Sequence, residues 1–274
     1  MKKLLTITSL LILTSVNAQV QRFYYELTYK PNKDSVKTEK EMMVLDVAKD
    51  ESVFVNYKQM MYDSTYISGV KKAREMGQVF LAPPTSSATT LSFRINKLKS
   101  GKQVFNDFVG MSEYYIYEER PVLKWNIVSA KEQIGNYSTQ KATTEFGGRV
   151  WTAWFTSEIP IQDGPYKFSG LPGLIIKLED SGNNYSWILA GNKKLNQDIK
   201  SNKQNYLEFQ MGTPVKLSKE GFQKRLNEYE KNPMSQMMQM FDEKDAELMK
   251  ALKQQEVRIK EKIAYNNNPI EIIK

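Results

Sequence analysis

The sequence predicts an α+β fold that is mainly β: a curved antiparallel sheet, shaped as a half-barrel or bowl, with C-terminal helices packed on or in its concave face. Short alternating or aromatic-rich runs, separated by Gly, Pro, Asn and Asp, extend from residue 23 to about residue 195. Their connections are short, which favours antiparallel neighbours because a parallel crossover needs about a dozen residues. After Pro214 the apolar residues recur at helical spacing.

The β region contains one clear hairpin. The β-prone runs 174–179 and 185–190 flank Asp180-Ser-Gly-Asn-Asn184, where Gly182 and an Asn tolerate positive φ. The segment 58–77 is polar with scattered Met and Tyr and is interpreted as a helix or an irregular excursion, and 81–90 is predicted to be a loop. The candidate strands are residues 22–30, 41–48, 52–57, 91–98, 103–109, 114–118, 123–128, 139–146, 150–156, 173–180 and 185–191.

Two helices are predicted after Pro214. The first begins with Ser218 as N-cap, carries Phe222, Leu226 and Tyr229 on one face, and ends at Asn232-Pro233. The second is predicted over residues 235–264. Its apolar stripe consists of Phe241, Leu248, Leu252, Ile259 and Ile263.

Composition excludes many enzyme classes. The chain has 274 residues and contains neither Cys nor His, so thiolate nucleophiles, imidazole bases and Cys- or His-ligated metals are impossible. Carboxylate acid–base chemistry, Ser-Lys or Tyr variants and oxygen- or thioether-bound metals remain open. The net charge of +8 is scattered, which does not predict nucleic acid as a partner. No cofactor is expected.

The N-terminus has the pattern of an export signal. Lys2 and Lys3 precede an apolar run at 4–13, and Val16-Asn17-Ala18 suits cleavage after Ala18. The run is too short to span a bilayer, which needs about 20 residues, and no Cys follows it for lipidation. We therefore expect residues 1–18 to be removed and the product to be periplasmic or secreted, not a lipoprotein. Residues 19–274 are interpreted as one domain without a transmembrane span, mainly β to residue 212, helical over 213–265, and ending in a tail at 266–274.

Several spaced motifs occur in order in the second half of the chain. They are Ile134-Gly-Asn-Tyr137 with Lys141-Ala142, the segment from Gly147-Gly-Arg149 to Pro160, Gly164-Pro-Tyr-Lys-Phe-Ser-Gly-Leu-Pro-Gly-Leu-Ile175, and Asn268-Pro-Ile-Glu271. This arrangement resembles the GLPGLI family of exported bacterial proteins, which is named after the hexapeptide at residues 170–175.

The resemblance implies export in Gram-negative bacteria but no established reaction and no catalytic residue. Many members of the family have a Cys shortly before the Lys-Ala pair, where this chain has Ser138 and Thr139. A role for that thiol is therefore closed to this chain. More loosely, the chain is similar to half-barrel periplasmic lipoprotein carriers and to the bowl-like accessory domain of certain exported peptide N-glycosidases.

Four residues near the hexapeptide are candidate ligand contacts. Tyr166 and Phe168 would form a rim if the Gly-Pro turn presented them, although a purely structural corner is favoured. Trp154 would stack on a sugar or acyl chain if exposed, but burial under the C-terminal helices is favoured. Arg149 suits a carboxylate or phosphate, with a salt bridge to Glu158 or Asp163 as the favoured alternative.

Two further features suggest chemistry. Met234, Met237, Met238 and Met240 are a candidate Cu(I) site, although packing on a helix also explains them. The pairs Asp163 with Glu158 and Glu179 with Asp180 are candidate hydrolytic carboxylates.

The sequence thus favours an exported binding or accessory protein that holds a lipid, peptide or glycan, or an envelope protein, and leaves catalysis open. A carboxylate-dependent hydrolase of envelope polymers or glycans is the first alternative. A Cu(I) binder is the second alternative.

Overall fold

The computed structural model of the chain describes residues 19–79, 89, 91–110, 113–196, 199, 213–241 and 245–272. The predicted export signal at 1–18 lies outside the described residues. So does the predicted loop at 81–90, apart from Thr89.

Twelve strands in the described part of the chain form one open, curved sheet in the order β12-β6-β5-β4-β3-β2-β1-β11-β10-β9-β8-β7. The predicted fold class is confirmed. The strands are β1 (Val20–Tyr29), β2 (Glu39–Val47), β3 (Glu51–Asn56), β4 (Arg94–Leu98), β5 (Gln103–Val109), β6 (Glu113–Glu119), β7 (Asn126–Ile134), β8 (Tyr137–Phe146), β9 (Arg149–Thr156), β10 (Leu174–Asp180), β11 (Tyr185–Leu195) and β12 (Val215–Lys216).

All eleven predicted strands are present; β5 has its predicted bounds, and the others have shifted ends. The largest shift is in β7, which begins at Asn126 rather than at residue 123 and continues to Ile134. The two-residue β12, which pairs in parallel with β6, was not predicted. It is too short to carry a periodic pattern.

The sheet consists of two meanders joined through the first strand. Strands β1 to β6 pair in sequence, as do β7 to β11, and β1 lies between β2 and β11. Tyr25 of β1 is opposite Met43 of β2 and Leu189 of β11. Because β11 pairs back with the first strand, all eleven long strands belong to one sheet.

One face of the sheet carries the main core, and we call it the inner face. Alternation places Phe23, Tyr25 and Leu27 of β1 on this face. Trp151, Ala153 and Phe155 share one face of β9, as predicted, and belong to the same core. Further buried members are Met43, Leu45, Phe54, Ile95, Phe105, Tyr117, Phe168, Leu171, Leu174, Ile175, Leu178, Trp187, Phe222 and Ile270.

The opposite, outer face is partly covered by helix α1 (Tyr57–Glu75), which settles the open interpretation of residues 58–77. Asn56 caps the helix by accepting a hydrogen bond from the Lys58 backbone N–H at 2.8 Å. Asp63 of α1 forms a buried ion pair with Arg94 of β4, with 2.9 Å between Oδ2 and Nη2. The helix is therefore tied to the sheet by charge as well as by Val44, Val55 and Met60.

The first C-terminal helix, α2 (Lys219–Lys231), matches its prediction. Ser218 Oγ accepts from Gly221 N–H at 3.0 Å, and Phe222 is buried against Phe105 and Tyr117. The helix ends before Asn232. It packs on β5 and β6 and covers that part of the inner face.

The prediction of one helix over residues 235–264 is wrong. The chain forms a short helix, α3 (Ser235–Gln239), and a separate helix, α4 (Ala246–Tyr265). Asp245 caps α4 by accepting from Leu248 N–H at 3.0 Å, a helix start that the spacing of apolar residues did not reveal. Phe241 lies outside both helices and is exposed, whereas Leu252 is buried and Leu248, Ile259 and Ile263 are half-buried. No helix among the described residues has the length and apolarity needed to cross a bilayer.

Candidate functional site

A cavity of about 240 Å³ lies on the inner face, between the sheet, helix α2 and the segment 266–271. Aromatic and aliphatic side chains make up most of its lining. The lining residues are Tyr29, Pro31, Leu91, Phe93, Phe105, Asp107, Tyr117, Tyr166, Tyr185, Lys219, Phe222, Gln223, Leu226, Asn266, Asn268, Pro269, Ile270 and Glu271.

The aromatic wall of the cavity is a connected set of rings. Phe105 stacks on Phe93 at 5.8 Å between centroids and on Tyr117 at 4.9 Å. Phe222 of α2 meets Phe105 edge-on at 5.8 Å. Tyr166 meets Phe93 edge-on at 5.3 Å. Because each ring is held by another, the wall is preformed rather than assembled around a ligand.

The loop between β9 and β10 carries Tyr166 to the cavity. Tyr166 adopts φ +53°, a left-handed conformation that is uncommon for a bulky residue. Its hydroxyl donates to Glu271 Oε1 at 2.7 Å. At the end of the loop Gly173 has φ +152°, and a Cβ there would overlap the Thr156 carbonyl. The Gly-Leu-Pro-Gly turn at residues 170–173 thus lets the chain pass close to β9 and re-enter the sheet.

A cluster of ion pairs, largely buried, lies beside the cavity and contributes Lys219 and Glu271 to its lining. Lys167 is fully buried; its Nζ pairs with Glu119 and Glu271 and donates to Tyr117 Oη at 2.8 Å. Lys219 of α2 contacts the same two carboxylates, at 2.9 Å from Glu119 and 2.6 Å from Glu271. Burial alone would raise the pKa of Glu271, but the charges and hydrogen bonds of Lys167 and Lys219 outweigh it and lower that pKa.

Arg149 clamps the segment 266–271. Its guanidinium donates to the Ile270 carbonyl at 3.0 Å, to Asn268 Oδ1 at 2.7 Å and to the Pro269 carbonyl at 2.7 Å. Its salt-bridge partner is Asp180, at 3.0 Å, rather than the predicted Glu158 or Asp163. Local sequence could not reveal this partner, because β10 brings Asp180 next to the start of β9 in register.

The two glycines before Arg149 provide space for the same segment. Gly147 and Gly148 have φ +59° and +74°. A Cβ at Gly147 would lie 2.9 Å from Glu271 Cγ, and the Ile272 N–H donates to the Gly147 carbonyl at 2.7 Å. The Gly-Gly-Arg and Asn-Pro-Ile-Glu motifs, distant in sequence, are therefore two sides of one contact.

Asp107 is a cavity residue that the sequence analysis missed. It is half-buried on β5, and its Oδ1 accepts from Ser92 Oγ at 2.7 Å and from Phe108 N–H at 2.8 Å. Burial raises the pKa of Asp107 to about 6, and the two hydrogen bonds only partly oppose this. The sequence does contain an indication that Asp107 faces inward, because the side-chain period of two places it on the same face of β5 as Phe105 and Val109.

The four predicted ligand contacts lie in different places. Tyr166 lines the cavity, and Phe168 is fully buried behind it, with its ring 4.9 Å from Trp151. Arg149 lies in the clamp beside the cavity. The expected burial of Trp154 under the C-terminal helices is wrong. Trp154 lies on the outer face, half-buried, with Lys141 Nζ 5.9 Å from its ring centroid.

The predicted carboxylate pairs are engaged elsewhere. Asp163 pairs with Lys97 and accepts from Ser52 Oγ at 2.5 Å, and Asp180 binds Arg149. Glu179 pairs with Lys177 at 2.7 Å. Glu158 Oε1 accepts from the Ser138 backbone N–H at 3.0 Å. None of these carboxylates lines the cavity described above.

The methionine cluster surrounds a second cavity of about 160 Å³ near Gly110 and Tyr229. Met234, Met237 and Met240 line it, whereas Met238 does not, and Met234 is buried while Met240 is exposed. Copper binding stays a prediction. Among the described residues, no group of three or more carboxylates is arranged to hold a metal ion.

The segment that contains Arg149, the Gly-Leu-Pro-Gly turn and the start of β10 is similar to the sequences of one known protein family. Residues 148–177 match a family described as "Protein of unknown function (Porph_ging)". The match covers much less than half of the chain and is consistent with the resemblance to a GLPGLI-type family. No curated protein matches the chain.

Two solved structures, described as PNGF-II in C2 and in P21 space groups, have a similar fold. Their TM-scores are 0.52 and 0.51, with 14% and 13% sequence identity. Each alignment covers 76% of this chain and 33% of the PNGF-II chain, so this protein corresponds to about a third of PNGF-II. At this identity the likeness shows the fold alone.

Proposed function

We propose that this protein is an exported, non-catalytic binding or accessory protein of the bacterial cell envelope, and that the cavity under α2 holds part of a lipid, peptide or glycan ligand. The export signal that the sequence predicts at residues 1–18 supports the location. The cavity itself carries the proposal, because a preformed apolar hollow with a few convergent polar groups is the usual form of a small-ligand site.

The size of the cavity limits what can enter. At about 240 Å³ it is smaller than the roughly 300 to 1,000 Å³ of typical pockets for drug-sized ligands. It therefore suits one end or one group of a larger molecule. The exposed Pro269 and the half-buried Gln223 and Asn266 line it, so the remainder of the ligand would leave between α2 and the segment 266–271.

The fold likeness to PNGF-II supports an accessory role. The likeness covers a third of PNGF-II, so this chain corresponds to a part of a larger protein rather than to all of it. The similarity of the sequence to the accessory domain of exported peptide N-glycosidases points the same way.

Native mass spectrometry of the protein purified gently from its own envelope tests the proposal. We expect a mature chain beginning at Gln19 that carries a bound small molecule. Gln223→Trp, which would fill the cavity, should abolish that bound mass. Asn227→Trp is a matched control, since it adds the same side chain at an exposed position of α2 and also removes the Gln223–Asn227 hydrogen bond.

Two results would contradict the proposal. One is equal retention of the bound molecule by Gln223→Trp and by the wild type. The other is an empty wild-type protein that also fails to bind envelope lipids, peptides and glycans when these are added back.

A carboxylate-dependent hydrolase is a second candidate, and one observation favours it. Asp107 and Glu271 line the same cavity, and their pKa values move in opposite directions, which is the condition for one carboxyl to act as acid while the other stays ionised. Turnover of an envelope glycan that is lost in Asp107→Asn, with binding retained, would establish this function in place of the first.

A further inference from the structure

The charges that line the cavity do not balance. Two carboxylates line it within the described residues, Asp107 and Glu271. Glu271 is paired with Lys167 and Lys219, and Glu119 contacts the same two lysines, so these four groups neutralise one another. Asp107 has no cationic partner in the described part of the chain. The cavity therefore carries one uncompensated negative charge.

Asp107 presents one of its oxygens without a protein donor. Both of its hydrogen bonds, from Ser92 and from Phe108 N–H, go to Oδ1. Oδ2 receives none from the described residues. A half-buried carboxylate with an unused oxygen at a cavity wall is unfavourable when the cavity is empty, and a bound cation would relieve that cost.

The walls around Asp107 are suited to a cation. Phe93, Phe105, Tyr117 and Phe222 line the same hollow, and aromatic faces attract ammonium groups within about 6 Å. Two of these rings, and the neighbouring Tyr166, already lie close to a buried ammonium group of the protein. Lys167 Nζ lies 4.8 Å from the Phe105 centroid, 5.1 Å from Tyr117 and 5.3 Å from Tyr166.

The size and lining of the cavity restrict the class of cation. A volume of about 240 Å³ equals that of roughly eight liquid waters at about 30 Å³ each. The lining is mainly apolar, so a strongly hydrated metal ion or a guest with many hydroxyls would lose hydration without enough replacement hydrogen bonds. An alkylammonium group loses little, because its carbon atoms pack against the rings.

From these observations we propose that the cavity binds a small alkylammonium group, of the size of ethanolamine or choline, with Asp107 as its counter-ion and the surrounding rings as its walls. The inference rests on the proposed binding function and names the chemistry of its ligand. The group can arrive as a free amine or as the headgroup of a lipid.

Calorimetric titration of the full mature chain with free choline and ethanolamine tests the proposal. The neutral control is 3,3-dimethylbutan-1-ol, which has the shape of choline without its charge, and the anionic control is acetate. We expect at least one amine to bind about tenfold or more tightly than either control. This comparison uses the wild-type protein alone and does not depend on a variant's folding.

Asp107→Asn removes the charge and leaves the acceptor for Ser92 and Phe108, and should reduce amine affinity by about tenfold or more. Glu26→Gln is the matched control, since Glu26 pairs with Lys40 on the outer face of the sheet and does not line the cavity. The amine affinity of Glu26→Gln should equal that of the wild-type protein. Vesicles of phosphatidylethanolamine and of phosphatidylglycerol distinguish the two sources of the ammonium group. If the protein is retained only by phosphatidylethanolamine vesicles, the ligand is a lipid headgroup. If neither kind of vesicle retains the protein, the ligand is a free amine.

The proposal is overturned if neither amine binds, if the neutral alcohol binds equally well, or if Asp107→Asn leaves amine affinity unchanged. These results are distinguishable from failure of the binding function itself. A neutral or anionic molecule retained by the wild type and lost in Gln223→Trp would overturn the ammonium proposal while supporting a ligand-holding cavity.

Discussion

Lys167, in the loop before β10, forms a buried ion pair with Glu271, which lies 104 positions later in the chain. The contact joins the Gly-Leu-Pro-Gly region to the segment that closes the cavity. Because Lys167 is fully buried, its charge has no access to water when the partner is removed.

Replacing Lys167 should therefore be costly. We expect Lys167→Met to lower the free energy of unfolding by about 3 to 5 kcal/mol, because Glu119 and Glu271 would then share Lys219 as their single cationic partner among the described residues. Lys40→Met is the control: Lys40 forms an exposed pair with Glu26, which is worth about 1 kcal/mol or less. Urea denaturation of both variants measures the difference, and equal losses would show that the buried pair has no special role.

Arg149→Lys should destabilise the protein by about 2 to 3 kcal/mol, because lysine cannot reproduce the fork that reaches Asp180, Asn268 and two carbonyls at once. Arg225→Lys, a change at the surface of α2 where the side chain is half-buried, should cost less than about 1 kcal/mol. If Arg149 instead served a bound anion, Arg149→Lys would weaken ligand binding and leave the urea midpoint unchanged.

The hexapeptide contains its own matched pair of glycines. Gly173→Ala should lower the free energy of unfolding by more than about 3 kcal/mol or prevent folding, because the new Cβ would overlap the Thr156 carbonyl. Gly170→Ala should cost about 1 to 2 kcal/mol, because its φ of +90° is strained for alanine but no atom lies within 4 Å of the new Cβ. Thermal unfolding ranks the two, and a reversed order would contradict the close approach to β9.

Asp107 should make stability depend on pH in the opposite direction from an ion-paired carboxylate. Its pKa is about 6 in the folded state against an ordinary value of 3.8, so between these pH values the folded chain holds the proton more tightly than the unfolded chain. The stabilising contribution is present below about pH 4 and is lost as pH rises through 6.

We therefore expect Asp107→Asn to gain about 2 kcal/mol over the wild type between pH 4 and pH 7. The comparison cancels the titration of Glu271, whose lowered pKa acts oppositely. The raised pKa values of Lys219, Tyr117, Tyr166 and Tyr185 keep each of these groups in one charge state over this range. Denaturation midpoints at several pH values measure the gain. A constant difference between the two proteins would show that Asp107 has an ordinary pKa.

The sequence predicted the strands and the first C-terminal helix well, because both depend on local periodicity and on caps such as Ser218. Pairing of β1 with β11 was beyond its reach, since local rules pair only neighbours along the chain. The separation of α3 from α4 was also missed, because a regular apolar spacing such as that of Phe241 and Leu248 does not show where a helix ends or begins.

The site was harder to predict for a physical reason. Tyr166 is a candidate from the sequence because of its place beside the Gly-Pro turn, but no local pattern distinguishes Lys167 next to it. Its burial depends on Glu119 and Glu271, which come from β6 and from the C-terminal segment. Asp107 was detectable in principle, as an acidic residue between Phe105 and Val109 on one face of its strand. The lesson is to search inward-facing strand positions for such exceptions.

The meeting of β1 with the segment 266–271 affects when the cavity can form. Asn268 N–H donates to the Pro31 carbonyl, and Asn268 Nδ2 donates to the Lys30 carbonyl at 2.8 Å. Residues more than 230 positions apart thus build one wall. The wall can close only when both ends of the described chain have been brought together, which costs the conformational entropy of the whole intervening chain. Contacts of such long range form slowly. During refolding, the ability to hold a ligand should accordingly emerge last, together with the final, slowest increase in protection of the backbone amides.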